Sequence, residues 1–321
     1  MFEVFHFKKD IPFMSYGKIT TTISLVTFLL AVFFLITRGL NLSIEFTGGT
    51  NVEVRFSQAV DTSVVRQQVE ALNIGGNHRQ IQVQALGTTR DILIRLPNVQ
   101  SAGAKDAASG QLAEIVKAEL RKTDPAVEIR SVSFVGSTVG DELLSNGLIA
   151  LTIVCLGIVA YLAIRFEWRF AVSAILANMH DVVIILGVFA FLQWEFSLTV
   201  LAAVLAVLGY SVNESVVVFD RIRENFRKAG MRGRSVPEII DNAITATTSR
   251  TVITHGCTEM MVLSMLFLGG ESLHYFAWAL TIGIMFGIYS SVLVASPLLL
   301  LMGVTRDNMV KQVRVKEEAV V

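Results

Sequence analysis

Six runs of about twenty mostly apolar residues constrain this chain more than any other feature in it. They fall at residues 19–36, 147–164, 170–192, 198–219, 251–268 and 276–302. A helix rising about 1.5 Å per residue needs about twenty residues to cross a hydrocarbon core of about 30 Å. In lipid every backbone N–H and C=O must be paired inside its own element, so such a run folds as a spanning helix. The composition agrees, with 53% hydrophobic and only 17% charged residues, against about 25% charged in soluble domains. Thr20, Thr21, Thr22, Ser24 and Thr27 dilute the first run. Lys8, Lys9 and Lys18 precede it and Arg38 follows, without a small-residue cleavage pattern, so the run reads as a retained span and not as a signal peptide.

Lysine and arginine in the short connections set the expected orientation. Arg165 and Arg169 follow the second run. Arg221, Arg223, Arg227, Lys228, Arg232 and Arg234 follow the fourth, and Arg306, Lys311, Arg314 and Lys316 follow the sixth. The connections at 193–197 and 269–275 have no lysine or arginine. Both termini (1–18 and 303–321) are therefore expected in the cytoplasm of a bacterium. The hydrophilic insert at 37–146 is expected on the periplasmic side of the inner membrane.

The insert has the pattern of an independent domain. Residues 50–56 alternate as a strand, and 61–72 read as a helix with Asp61 as N-cap. Residues 81–86 and 90–96 alternate as a hairpin. Residues 107–122 form a second helix whose apolar face carries Leu112, Ile115, Val116 and Leu120, and 127–135 form a last strand. Loops are expected at 75–77 and 98–103. The order β-α-β-β-α-β predicts a ferredoxin-like α+β domain between helices 1 and 2 of a six-helix polytopic membrane protein. Its charges are mixed and nearly balanced, which argues against nucleic acid as a partner. The connection at 220–250 contains Ser235-Val-Pro-Glu238, a capping box. It predicts a separate amphipathic helix to about residue 248, lying on the membrane surface or on a partner.

The fourth run is broken by Asn213 and Glu214. A charge near the bilayer centre costs about 2.5–3.5 kcal/mol on insertion scales, and each apolar neighbour returns about 0.3–0.6 kcal/mol. Insertion stays feasible, but Glu214 consumes most of the margin. Two readings follow: a titrating carboxyl in a proton or cation path, or a structural hydrogen bond between helices. His180-Asp181 in the third run is either a proton relay or an interhelical tie. Arg250 opens the fifth run, followed by Thr251, Thr254 and Thr258. It is either a counter-ion to Glu214 or Asp220, or a boundary arginine reaching for the interface. His255 and Glu259, four apart on one helical face, are a second titrating pair, a cation site, or an internal pairing that lowers insertion cost. Asp220 within Asp220-Arg221-Ile222-Arg223-Glu224 reads most simply as an interfacial helix end. Glu45, Gly48 and Gly49, beyond the first run, mark a special backbone conformation or an ordinary turn into the first strand. Gly283, Gly287, Ser290 and Ser291 are small-residue packing positions.

Cys155 and Cys257 lie in apolar runs, so neither a disulfide framework nor a metal site is suggested. The sequence contains no phosphate-binding G-x-x-x-x-G-K-[ST] loop, no H-E-x-x-H and no G-x-S-x-G. No cofactor is implied, and covalent catalysis is not expected.

Taken together, Ile44-Glu45-Phe46-Thr47-Gly48-Gly49-Thr50, Phe166-Glu167-Trp168-Arg169, His180-Asp181-Val182, the stretch Gly209 to Ser215 with Asp220 to Arg227, and Ser249-Arg250-Thr251 resemble the SecF members of the SecD/SecF family, within the RND superfamily. The resemblance runs from about residue 41 to 301. It implies a protein-transport subunit that pairs with SecD, associates with the SecYEG channel and YajC, and acts after SecA on unfolded preprotein. It also implies use of a proton or sodium motive force. The family's functional carboxyl falls on Glu214 and its functional arginine on Arg250. The family has Asp at positions 45 and 214, where this chain has Glu, and small or apolar residues at 255 and 259. Two other functions are consistent with the same fold: half of an RND-type exporter of small molecules or lipids, and a non-coupling scaffold of the translocon. An intramembrane protease using Asp181 and Asp220 is a more distant reading.

Overall fold

The computed structural model describes residues 9–72, 74, 81–86, 88–96, 105–231 and 233–305. The expected loops at 75–77 and 98–103, and the basic residues from Arg306 onward, lie outside the described residues. The chain divides into two compact units. The first holds residues 1–40, 152–194 and 202–321, and the second 41–151 and 195–201.

The second unit starts with β1 (Asn41–Leu42) and the single-turn α2 (Ile44–Thr47), followed by β2 (Gly49–Arg55) and α3 (Thr62–Ala71). The hairpin β3 (Gln82–Leu86) and β4 (Thr88–Leu96), α4 (Lys105–Leu120) and β5 (Glu128–Val135) complete the domain. The four-stranded sheet has the antiparallel order β3-β4-β2-β5. This is the ferredoxin-like arrangement that the element order predicts. Asp61 caps α3 by accepting from the Ser63 amide at 2.8 Å. Strand alternation puts Val52, Val54, Ile92 and Ile94 against Val65, Val69, Val116 and Leu120 of the helices. Ile115, expected on the core face of α4, is exposed, and Ala113 takes the buried position instead. Along α4 the inward stripe runs Ala113, Val116, Leu120, one position away from Ile115.

The first unit is a bundle of membrane-length helices. α1 is Gly17–Thr37 and α5 is Ser137–Arg165, whose outer turns belong to the second unit. α6 is Trp168–Leu192, and a two-residue strand β6 (Glu195–Phe196) precedes α7 (Leu198–Arg227). α8 is Val236–Leu268 and α9 is Glu271–Ser290. A π-helical turn at Ser291–Ala295 leads into α10 (Ser296–Leu301). Among the described residues, six helical stretches are long and apolar enough to cross a membrane: Phe13–Thr37, Thr138–Arg165, Trp168–Leu192, Leu198–Arg227, Val236–Leu268 and Leu273–Leu301. The π turn has a local cause. Pro297 has no N–H to return to the Leu293 carbonyl, so the helix widens ahead of it. Ser173 on α6 donates to the Ala295 carbonyl within this turn.

Three boundaries differ clearly from the sequence-based expectation. α7 runs on past 219 to Arg227. α5 starts ten residues before 147, because 137–146 continue the helix out of β5 without a break. The expected amphipathic helix and the fifth span form one helix, α8, of 33 residues, about 50 Å long. The capping box is formed as predicted: Glu238 Oε2 accepts from the Ser235 amide at 2.8 Å. The apolar side of the first turns faces neither lipid nor a partner. Ile239, Ile240, Ala243 and Ile244 are fully buried with Phe219, Ile222 and Phe226 of α7 and Phe170 of α6. The N-terminal segment closes over the same turns, with the Met14 amide donating to Asp241 Oδ1 (2.8 Å) and the Ile11 amide to Thr245 Oγ1 (3.0 Å).

One ion pair pins the end of the sheet. Arg55 on β2 lies opposite Asp91 on β4, donating Nε–H to Oδ1 at 2.6 Å and Nη2–H to Oδ2 at 2.8 Å. Arg55, with help from Thr88, holds the Asp91 carboxyl at about 2, below its ordinary 3.8. A depressed folded-state pKa contributes stability that is complete above the unfolded value and is lost as pH falls through the folded one. The inserted domain therefore loses about 1–2 kcal/mol between about pH 4 and pH 2, the figure allowing for solvent screening at the half-exposed Arg55. Urea midpoints of the solubilised chain, read by circular dichroism, should fall over this interval, and Asp91→Asn should remove that part of the pH dependence.

Candidate functional site

Glu214 lies in the middle of α7, is 6% exposed, and is met by α8. The Thr251 hydroxyl donates to Oε1, and His255 Nε2 lies 3.4 Å from Oε2. Both partners come from one face of α8, because residues four apart are neighbours on a helix. Tyr210, one turn before Glu214 on α7, sets its ring edge-on to His255 with centroids 4.8 Å apart. Its hydroxyl donates to Thr258 Oγ1 at 3.2 Å. Tyr210 and Glu214 on α7 thus meet Thr251, His255 and Thr258 on α8. Glu259 is one turn beyond His255, and its Oε2 is buried without a hydrogen-bond partner among the described residues, as is His255 Nδ1.

The expected counter-ion is not the observed one. Arg250 is exposed and makes no ion pair with Glu214 among the described residues. It reaches Glu214 through its field only, and lines a surface recess with Val216, Asp220, Glu224 and Thr247. The reason is helical phase. Arg250 is one residue before Thr251, about 100° around α8 from the face that meets Glu214. Asn213 is displaced in the same way on α7 and is exposed. Asp220 is also apart from the site. Arg165 Nη2 contacts its carboxylate at 2.6 Å and Arg223 Nη1 at 3.4 Å; it lies within α7, before the helix ends at Arg227, and not at the helix end expected from the sequence.

Asp181 forms a second buried cluster. Its Oδ2 accepts from Ser211 of α7 at 2.7 Å and from Ser290 of α9 at 2.6 Å. His180 Nδ1 lies 3.3 Å from Oδ1, and the His180 ring packs among Phe28, Phe286 and Tyr289. Asp181 therefore ties three helices together at the start of the π turn. No hydrogen bond links it directly to Glu214 among the described residues; the connection runs along α7, where Ser211 is three residues from Glu214. Gly283 of α9 lets this packing close, because a Cβ there would overlap the Val207 side chain of α7.

In the second unit, Glu45 Oε2 accepts from the Leu198 amide at 2.7 Å and from Ser43 Oγ at 3.2 Å. A carboxylate at the first turn satisfies an orphan N–H and the helix dipole together. β1 and β6 pair beside it, Asn41 with Glu195 and Leu42 with Phe196. Arg95 of β4, almost fully buried, forms an ion pair with Glu195 and donates to Gln82 Oε1 at 3.1 Å. Gly48 and Gly49 have φ of +68° and +136°, and a Cβ on Gly49 would lie 2.6 Å from the Leu96 carbonyl oxygen. The special backbone expected at this turn is present, and it is what lets β2 start flush against β4 and β5.

Sequence reasoning passed over Tyr210, Ser211, Arg95 and Glu195 as site residues, and treated Ser290 only as a small packing residue. Tyr210 had a usable signal, its spacing of four from Glu214. The others had none, since their partners come from distant segments.

The family described as "Protein export membrane protein SecD/SecF, C-terminal" matches residues 115–305, and the "SecD/SecF GG Motif" matches residues 33–60. The chain is 40% identical to the protein translocase subunit SecF of Vibrio alginolyticus over 321 residues, 99% of this chain and 98% of that one. It is 41% identical to the SecF of Haemophilus influenzae over 298 residues, 93% of this chain and 88% of that one. The crystal structure of SecDF from Thermus thermophilus, a translocon-associated membrane protein, superposes with a TM-score of 0.80 at 33% identity, over 92% of this chain. A structure of SecDF in a super-membrane-facing form gives 0.68 at 33% identity, over 93%. The chain spans 39% of the length of each SecDF chain.

Gly49→Ala should destabilise the inserted domain by about 1–3 kcal/mol, since the new methyl meets both a strained φ and a backbone oxygen. A lowered thermal midpoint of the solubilised chain is the expected reading; an unchanged midpoint would contradict the turn geometry.

Proposed function

The chain belongs to the SecD/SecF family of protein export membrane proteins, and from that premise we propose that it is a SecF-type subunit of the Sec translocase, converting an ion gradient into late-stage preprotein movement. It is a multi-pass membrane protein and a transport component, not a covalent-chemistry enzyme.

The observation that carries this reading is the buried Glu214. A carboxylate in a membrane span is costly and is retained where it moves an ion. Glu214 is held by groups that respond to its charge, a hydroxyl on one oxygen and an imidazole near the other. Neutralising it weakens the hold of α8 on α7 and gives the bundle a second state. α7 is one helix, from the Leu198 amide held by Glu45 to the turn that carries Glu214, about 24 Å along the axis. Glu45, Gly48 and Gly49, beside the first turn of α7, act as the hinge of the inserted domain. Asp181, tied to α7 through Ser211, sets the position about which the helix moves.

Asn213 and Arg250 support a membrane partner. Both are exposed on membrane-length helices, where facing lipid is unfavourable. A second membrane subunit of the SecD type covers this face, as the 39% share of the SecDF chains suggests. The further partners of this reading are the SecYEG channel and YajC, with SecA acting before it on the same unfolded preprotein. The site is the bacterial inner membrane, with both termini cytoplasmic, the inserted domain periplasmic, and Arg165, Arg223 and Arg227 at the inner face.

Preprotein translocation into inverted vesicles containing the assembled complex tests the reading. An imposed proton or sodium gradient should stimulate translocation in the wild type, and Glu214→Gln should lose about 90% or more of that stimulation, a loss of at least tenfold. Arg250→Ala, at an exposed position, should accumulate normally and lose a comparable share. Equal stimulation in wild type and Glu214→Gln would leave only a scaffold role.

A further inference from the structure

The residues around Glu214 bear on which ion it carries. The site departs from what the family resemblance implies in one respect: the titratable neighbour that faces the carboxylate is His255, and Arg250 does not contact it. His255 is 2% exposed, and its Nε2 lies 3.4 Å from Glu214 Oε2.

We propose that His255 is the proton-exchange partner of Glu214 and makes this a proton site and not an alkali-cation site. The proposal rests on the reading of Glu214 as the coupling carboxylate, and deepens it by naming the ion.

Three observations carry it. First, each carboxylate oxygen faces a group able to donate, the Thr251 hydroxyl and the His255 ring. Hard alkali cations are held by shells of oxygen lone pairs, and an imidazole nitrogen stands where such a shell would have to close.

Secondly, Thr251 serves both protonation states. Its Oγ1 is within hydrogen-bond distance of Glu214 Oε1 and lies 3.2 Å from the Thr247 carbonyl. With Glu214 charged, the single hydroxyl proton goes to the carboxylate. With Glu214 protonated on Oε2, Oε1 remains an acceptor and the hydroxyl goes on donating to it, while the new O–H faces His255 Nε2. Neither state leaves a buried oxygen unpaired, which is what a reversible proton site in a low-dielectric bundle requires.

Thirdly, His255 keeps a second ring nitrogen that is not committed to a fixed hydrogen bond among the described residues. Its Nδ1 is buried and unpartnered among the described residues, as is Oε2 of Glu259, four residues on along α8. In the exchange, the Nε2–H of the imidazolium passes its proton to Glu214 Oε2, leaving neutral imidazole and neutral acid, and the pair keeps its net charge of zero. Loading from the pair of neutral imidazole and carboxylate takes up one proton and changes that charge from −1 to 0.

The groups facing the pair are few. α7 contributes Tyr210, whose ring meets His255. α8 contributes Thr251, Glu259 and, through its field, Arg250. α9, which packs on α8, carries no Asp, Lys or Arg; its titratable groups after Glu271 are His274, Tyr275 and Tyr289, and Tyr289 is engaged with Ser24 and Thr20 of α1. His255 is thus the titratable partner in contact with Glu214.

The test uses the assembled complex in inverted vesicles, driven either by a pH gradient in sodium-free buffer or by a sodium gradient with the pH gradient collapsed by an ionophore. Translocation is normalised to that seen without a gradient. The wild type should respond to the pH gradient alone. His255→Gln, which keeps an N–H near Glu214 but cannot titrate, should lose about tenfold or more of that response and flatten its pH profile. A response to the sodium gradient alone overturns the proposal. So does a wild-type pH profile in His255→Gln while Glu214→Gln is inactive, which would make His255 a packing residue and leave Glu214 as the coupling group. Full stimulation in Glu214→Gln itself would instead overturn the reading on which this proposal rests. Infrared titration of the wild-type complex needs no functional variant. The carboxyl band assigned to Glu214 and the imidazole bands of His255 should change in one pH step, and independent titration would overturn the proposal.

Discussion

A carboxylate inside a bundle of apolar helices has no water to solvate it, and the arrangement of α7 and α8 depends on that one fact. Removing a charge from water costs far more than any single apolar contact returns, so the group must be met by donors or become neutral. Glu214 is met by Thr251 and His255, one turn apart on α8. Asp181 solves the same problem with two serines from different helices. These contacts fix the axial register and rotation of helices whose apolar faces alone would pack in several ways. Close approach follows from small residues such as Gly283, where a larger side chain would collide with Val207.

The turn at Glu45 obeys the same logic at the other end of α7. Glu45 satisfies the Leu198 amide at the start of that helix, and the turn that positions Glu45 exists because Gly48 and Gly49 accept positive φ. The short β1–β6 pair and the buried Arg95–Glu195 ion pair bind the start of α7 to the sheet of the second unit.

Much of this was legible in the residues. Six long apolar runs, the alternating strands of the insert, the capping box at Ser235–Glu238 and the break at Glu214 are local signals, each produced by chemistry within a few residues of itself. The structure brings Glu214 and His255 together, a pairing that the sequence, which set His255 with Glu259, did not indicate. The continuity of α8 was not legible, because Arg250 and the threonines around it look like a boundary between a surface helix and a span. In three dimensions the first turns of α8 are buried against Phe219, Ile222 and Phe226, so the helix has no reason to break. Arg250 makes no direct contact with Glu214 for a related reason: proximity in register is not proximity in phase, and one residue of rotation turns a side chain away from its target.

The sequence by itself determined that this is a polytopic helical membrane protein with a ferredoxin-like insert, and that Glu214 needs an explanation. Length, periodicity and the cost of charge in lipid act residue by residue, so they can be read without coordinates. Only the tertiary structure decided which groups answer that charge. Tyr210 and Glu214 look towards α8 and Ser211 towards Asp181 of α6, and Thr251, His255 and Asp181 become their partners through helix rotation and axial shift, which depend on packing across the whole bundle.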